Sequence, residues 1–357
     1  VRKLLIFALI VITTLLMVGK PLKVVLLLNG TLGDKSFFDS AARGIKWAEE
    51  KLGIEGKIIE MGYDQSVWRP TLEDVSEEDW DIIIVGTWQM AENLEEVAPM
   101  YPEKKYIIFD TSVDYSKGGL DNVYSILYKQ NEGSFLVGAL AAMITTAPDK
   151  MPKANPEPLI GFLGGMDIPV INDFLVGYIQ GAKYINPDIK VIISYAGAFN
   201  DPAKGKELVL AQYRQGVDIS FNVAGETGIG LLAAAKEMDK YAIGVDSDQA
   251  LIMEDKDPEI SRHIVTSMMK NVDWSIFRAL KLYLEGKLEF GKAEALGIAE
   301  GGVGVADNKY YRELVPEEFR KKIKELEELI KAGKIKVWTA YGMSTEELNK
   351  IRNSVKP

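Results

Sequence analysis

Cysteine is absent from the 357 residues, and histidine occurs once, at His263. Without cysteine there is no disulfide, no thiol nucleophile and no iron–sulfur cluster, and zinc sites built from several Cys or His ligands are excluded. A Ser-His-Asp triad would have to run through His263 alone. Positive charge is also in deficit: 42 Lys and Arg against 52 Asp and Glu give a formal net charge of −10, which disfavours nucleic acid and anionic lipid as general partners. What remains is ordinary globular material. Apolar residues make up 47% and charged residues 26%, so neither a disordered chain nor a multi-span membrane protein fits. At ~150 residues per domain the length argues for two domains.

Arg2 and Lys3 precede an apolar run over residues 4–18, broken only by Thr13 and Thr14 and ended by Gly19-Lys20-Pro21. Residues 1–21 therefore read as a secretory signal peptide. An uncleaved anchor is the second reading, because the run ends in a poor cleavage site, although it falls short of the ~20 apolar residues of a membrane span. A buried N-terminal helix is the third. The expected location is the periplasm or the outer face of the cytoplasmic membrane, without lipid, since lipid attachment needs a cysteine at the cleavage point.

From Leu22 onward, short β-branched runs alternate with amphipathic stretches, the pattern of parallel βαβ units. Four buried strands are predicted at 23–28, 57–61, 81–85 and 106–109, and four more at 159–163, 191–195, 218–222 and 241–245. Between the first two, Phe38, Ala41, Ile45, Ala48 and Leu52 recur at helical spacing. A proline-rich stretch at 145–158 divides the groups, so two similar α/β lobes are expected. A strand at 264–270 and a helix at 271–286 then pass back toward the first lobe. The first lobe is assigned to 22–129 and 268–288, and the second to 130–267 and 289–308. Residues 309–357 form a helical extension not assigned to either lobe, with 12 Lys or Arg against 8 Glu. Within it, 317–331 reads as a packing helix with Phe319, Ile323, Leu326 and Ile330 inward.

Ligands of open parallel sheets bind beyond the carboxyl ends of the strands. Here those ends carry Asn, Gly, Asp and aromatic residues: 29–38 (NGTLGDKSFF), Gly86-Thr87-Trp88, Asp110-Thr111-Ser112, 164–167 (GGMD), 197–201 (GAFND), 224–228 (AGETG) and 246–249 (DSDQ). Together they describe a polar cleft with aromatic walls. Gly30 to Ser36 is not a phosphate loop, because two residues rather than four separate its glycines and Asp34 follows the second. Gly225, Gly228 and Gly230 lack the order of a dinucleotide fingerprint and suit close backbone approach to a neutral ligand. Asp246 and Asp248 could share a divalent ion, but no regular calcium-loop spacing surrounds them, and a carboxylate accepting two adjacent sugar hydroxyls explains the position better. Phe37 and Phe199, at strand-to-helix junctions taken to match between the lobes, would clamp a flat ring. His263, without an acidic partner nearby in sequence, reads as structural.

These strand-end segments resemble the basic membrane protein family of ABC-transporter binding proteins, which includes purine nucleoside receptors. The similarity runs through 33–38 (GDKSFF), 131–143 (NEGSFLVGALAAM), 161–170 (GFLGGMDIPV), 199–208 (FNDPAKGKEL) and 242–250 (AIGVDSDQA), in family order over most of 22–307. It implies the type I periplasmic binding protein fold: two Rossmann-like α/β lobes with parallel sheets, joined by a three-strand hinge. It also implies binding without catalysis and without a cofactor. By motif, Phe37 and Phe199 become stackers on the purine, Asp110 the reader of the base, and Asp246 and Lys270 the clamp on the ribose hydroxyls. Asn29 and Gly225 supply the remaining polar edge and a close backbone contact, and Trp88 stands where the family has a smaller aromatic. Phe38 replaces a common Asn. The implied partners are a purine nucleoside (guanosine, adenosine or inosine) and the permease subunits of an ABC importer, with the receptor monomeric and no nucleic acid bound. Three alternatives stay open: another flat ligand such as riboflavin, a nucleoside-acting enzyme using carboxylates to activate water, and a ligand sensor with a separate transducer.

Overall fold

Runs of Val, Ile and Leu only five or six residues long are too short for core helices and pair instead as buried strands. In the computed structural model, which describes residues 20–357, they build two six-stranded sheets. The first contains β1 (Lys23–Leu28), β2 (Glu55–Glu60), β3 (Ile82–Gly86), β4 (Lys105–Phe109) and β5 (Val123–Tyr128). The second contains β6 (Leu159–Gly164), β7 (Lys190–Tyr195), β8 (Ile219–Val223), β9 (Tyr241–Asp246) and β10 (Ile264–Lys270). Then β11 (Lys292–Leu296) returns to the first sheet and β12 (Val303–Val305) to the second. The spatial orders, β11-β5-β4-β3-β1-β2 and β12-β10-β9-β8-β6-β7, repeat one topology, so β6 to β10 are the counterparts of β1 to β5. Every pairing is parallel except β10 with β12.

The chain crosses between lobes three times: from β5 into the helix Gln130–Thr145, from β10 into the helix Val272–Leu284, and from β11 to β12. The first of these helices packs on Pro169–Ile185 of the second lobe, and the second packs on Phe37–Leu52 of the first. Two lobes of doubly wound α/β topology with three crossings are the expected fold.

The predicted strands agree with the observed ones to within two residues. The count of four units per lobe is corrected to six strands, because β5, β11 and β12 fall outside the predicted set. β11 reads KAEAL, residues that favour helix, and parallel pairing with β5 from Lys292↔Tyr124 to Leu296↔Tyr128 overrides that preference. The lobe boundaries shift accordingly. β10 keeps 268–270 in the second sheet, and β11 places 292–296 in the first. The extension after 308 belongs with the second lobe: Glu317–Lys331 packs on Gln130–Thr145 with Phe319, Ile323, Leu326 and Ile330 buried, and the Val355 carbonyl accepts the Val191 N–H at 2.8 Å. The predicted signal or anchor lies outside the described residues but for its last two positions. Among the described residues no helix is long and apolar enough to cross a membrane.

Candidate ligand-binding site

Because β1 to β5 and β6 to β10 run parallel within their sheets and the sheets face each other across the crossings, their carboxyl ends open onto one cleft of about 420 Å³. From the first lobe come Asn29, Phe37, Trp88 and Asp110, and from the second Phe199, Gly225, Asp246 and Lys270. All eight residues singled out in the sequence therefore line the same cavity.

At its floor lies a buried charge cluster. Asp110 directly follows β4 and Asp246 ends β9, equivalent strands, and both residues hold left-handed backbone (φ 66° and 62°). That conformation is rare for a residue with a Cβ, so the surroundings over-determine it. Lys270, at the end of β10 and only 2% exposed, forms an ion pair with Asp110. Its Nζ also lies 5.1–5.4 Å from the ring centroids of Phe174, Tyr128 and Phe37. Asp246 accepts a 2.6 Å hydrogen bond from the Ser36 hydroxyl of the opposite lobe. Burial pushes the Asp246 carboxyl up to about 6; Lys270 and Ser36 oppose the rise, and Asp110 and Asp34 add to it. Burial likewise raises Asp110, against the pull of Lys270.

The aromatic walls come from loops and from the first turn of the helix Phe37–Leu52. Phe37 opens its helix with its ring 5.5 Å from Phe109 and edge-on to Phe38 at 5.3 Å. Phe38 also lines the cleft, its ring lying so close over Gly30 that a Cβ there would be 2.2 Å away. Phe199 lies against Gly165 in the same way, at 2.3 Å. Trp88, 49% exposed, stands on the rim. The expectation that Phe37 and Phe199 occupy matching positions is corrected: Phe37 follows β1, whereas Phe199 follows β7, the counterpart of β2. The first-lobe residue in the loop matching Phe199 is Tyr63, which lines the cleft too.

Sequence reasoning gave several neighbours no role of their own, naming Thr87, Met166 and Glu226 only within strand-end segments. Tyr63 and Gln65 follow β2, the one early strand whose end was not inspected. Thr87 and Gln89 fix Asn29, whose Nδ2 donates to Thr87 Oγ1 at 2.7 Å and to Gln89 Oε1 at 3.3 Å. Phe174 sits among apolar helix positions and carries no signal distinguishing it from core. Met166 and Ile168 form an apolar second-lobe wall, and Glu226 adds a carboxylate.

Asp34 accepts from the N–H groups of Ser36, Phe38 and Asp39 at 2.8–3.1 Å, so its own carboxylate occupies the helix amides a phosphate would need. Asp248 caps a helix through the Leu251 N–H and accepts from Asn308, while Asp246 faces Ser36, so the two do not converge on an ion. Among the described residues no group of three or more His, Asp or Glu is arranged to hold a metal. His263 lies off the cleft, its Nδ1 2.9 Å from both the Lys240 carbonyl and Lys153 Nζ.

This architecture has known relatives. The Bmp family model, described as ABC transporter substrate-binding protein PnrA-like, matches residues 22–336. Basic membrane protein A2 of Borrelia garinii subsp. bavariensis is 33% identical over 308 residues, 85% of this chain and 84% of that protein. The ABC transporter nucleoside-binding protein BmpA of Lactococcus lactis subsp. cremoris is 31% identical over 289 residues, 77% of this chain and 78% of that one. The crystal structure of an ABC transporter solute-binding protein from Aeropyrum pernix shares the fold with a TM-score of 0.79 at 28% identity, over 94% of this chain and 100% of that one. Matched over most of its length and sharing the two-lobed fold, the chain belongs to the Bmp family of PnrA-like ABC transporter substrate-binding proteins.

Proposed function

We propose that this protein captures purine nucleosides outside the cytoplasmic membrane and presents them, closed between its lobes, to an ABC permease. The observation carrying this reading is the pairing of aromatic walls with a buried Asp110–Lys270–Asp246 cluster in one cavity of about 420 Å³. A flat base fits the first and a hydroxyl-bearing ring the second. The name of the Lactococcus relative, a nucleoside-binding protein, supports the same class. Phe37 and Phe199 are the stackers, Asp110 reads the base, and Asp246 with Lys270 holds the ribose. Asn29 and Gly225 complete the polar edge, and Trp88 closes the rim.

The magnitudes suffice. Stacking contributes about 1–3 kcal/mol per base by analogy with single-strand binders, and hydrogen bonds to charged groups about 1.5–3 kcal/mol each. Set against the cost of association, these terms leave room for a micromolar complex, near −8 kcal/mol. Asp34, Asp110, Asp246 and Glu226 face a single lysine in the lining, so a phosphate-bearing ligand is disfavoured and the nucleoside preferred to its nucleotide.

Calorimetry with guanosine, adenosine and inosine tests the reading, with riboflavin and the 5′-monophosphates as comparison ligands. Micromolar or tighter binding of at least one ribonucleoside is expected, with its 5′-monophosphate and 2′-deoxy form weaker by about tenfold or more. Riboflavin binding with no nucleoside bound would overturn the assignment. Equal affinity for ribo and deoxy forms would remove Asp246 from the ribose.

A further inference from the structure

We infer that Arg352, on the C-terminal helix Thr345–Ser354, is a positioning residue for the second-lobe wall of the ligand cleft; its link to binding rests on the nucleoside reading above. Arg352 does not line the cavity. Its Nη2 lies 2.6 Å from Asp167 Oδ1, 2.8 Å from Asn172 Oδ1 and 2.8 Å from the Tyr195 hydroxyl, and its guanidinium sits 5.3 Å from the centroid of the Tyr195 ring. The Tyr195 hydroxyl in turn donates to Asn172 Oδ1 at 2.7 Å.

Those three partners belong to the elements that carry the wall. Asp167 lies between Met166 and Ile168, both of which line the cleft. Asn172 is in the first turn of the helix Pro169–Ile185. Tyr195 ends β7 and leads into the loop bearing Phe199. One guanidinium thus ties the loop after β6 to the loop after β7. The two loops are also stitched by backbone: the Ala196 N–H donates to the Gly164 carbonyl at 2.9 Å, and the Gly197 N–H to the Gly165 carbonyl at 2.7 Å. With the Phe199 ring pressed on Gly165, a displacement of the first loop is handed directly to the stacking residue. The same end of the helix is fastened by Val355, whose carbonyl accepts the Val191 N–H at the start of β7. All three oxygens are met by Nη2 while the flat guanidinium lies over the Tyr195 ring, a stacking that the compact ammonium of a lysine reproduces only in part. Arg352 also falls beyond residue 336, where the match to the family model stops.

The test compares the full chain with Arg352→Ala, Arg352→Lys, Asp167→Asn and, as a control on the same helix, Lys350→Ala. Affinity for inosine and guanosine is read by calorimetry, and amide hydrogen exchange is read without ligand. Expected for Arg352→Ala is a loss of about tenfold in affinity, the scale of one charge-assisted hydrogen bond removed from behind the wall. Faster exchange should be confined to 164–168 and 195–200. Arg352→Lys should recover part of both, Asp167→Asn should reproduce the exchange pattern, and Lys350→Ala should match the parent. Unchanged affinity in Arg352→Ala, or exchange raised across the whole second lobe, would overturn the inference. Should the parent bind neither nucleoside, the functional reading falls, and the exchange pattern alone still decides whether Arg352 holds the two loops.

Discussion

At the scale of single residues, Asp246 links pH to stability and, through the ribose role proposed for it, to binding with the opposite sign. Its carboxyl sits at about 6 in the folded protein against 3.8 for the ordinary group. Between those values the folded state keeps a proton that the unfolded chain has released. The stability this group contributes is therefore complete below about pH 4 and lost as pH rises through 6. Ribose hydroxyls, in contrast, need the ionised carboxylate as acceptor. Nucleoside affinity should accordingly drop about tenfold from pH 7.5 to pH 5, and an Asp246→Asn variant should bind weakly with a flat profile over that range. Parent affinity independent of pH in calorimetry would detach Asp246 from the ligand. For the aromatic wall, Phe199→Ala should weaken guanosine binding by at least about tenfold, since one stacking face is lost. Unchanged affinity would remove Phe199 from the site. These residues were legible because parallel sheets gather strand ends, and strand ends can be found from β-branched runs. Ser36 and Phe174 were not legible. A hydroxyl spanning two lobes and a helix phenylalanine turned toward a lysine depend on how the lobes meet, which no local pattern encodes.

At the scale of elements, the helix Gln130–Thr145 is buried along its length and shows little amphipathic character, so its sequence reads as an apolar word rather than as a helix with an inner face. Its partner Pro169–Ile185 approaches so closely that a Cβ on Gly181 would stand 1.9 Å from the Phe135 carbonyl oxygen, and one on Gly177 would stand 2.2 Å from that of Asn131. In an exposed helix, glycine to alanine gains about 1 kcal/mol. Here backbone blocks the methyl, so Gly181→Ala should cost about 1–3 kcal/mol by overpacking. The urea midpoint reads this out, and a raised midpoint would show that the helices can part. The strands divide along the same physical line. β1 to β4 and β6 to β10 announce themselves by apolar runs, whereas β11, with Lys, Ala and Glu, is a strand only because β5 offers it a free parallel edge. Its existence is a tertiary fact, and so are the lobe boundaries that hang on it.

At the scale of the whole molecule, the lobes meet through a compact set of hydrogen bonds beside the ligand cleft. Ser36 Oγ donates to Asp246, Ser247 Oγ donates to the Ser36 carbonyl at 2.9 Å, and Gln249 Nε2 donates to the Lys35 carbonyl at 3.2 Å. Arg43 Nη2 adds a bond to Ser247 Oγ at 3.1 Å while its Nε is held by Asp273 at 2.9 Å. Residues 35, 36 and 43 belong to the first lobe and 246–249 to the second, so a parting of the lobes at this point would break these bonds. The neutral ones are worth about 0.5–1.5 kcal/mol each and those to Asp246 and Arg43 about 1.5–3 kcal/mol, and the Ser247 hydroxyl takes part in one of each kind. Ser247→Ala should therefore shift the ligand-free protein toward the open state without touching the stacking residues. Because apparent affinity scales with the closed fraction, binding should weaken about three- to tenfold. The radius of gyration from small-angle scattering should rise in the ligand-free variant and return to the parent value at saturating nucleoside, since a ligand held by both lobes supplies the closing free energy that the lost bonds no longer do. If affinity and radius both stay at their parent values, the Ser36–Ser247 contact is a passive consequence of closure, which then rests on the remaining bonds between the lobes and on the three crossings.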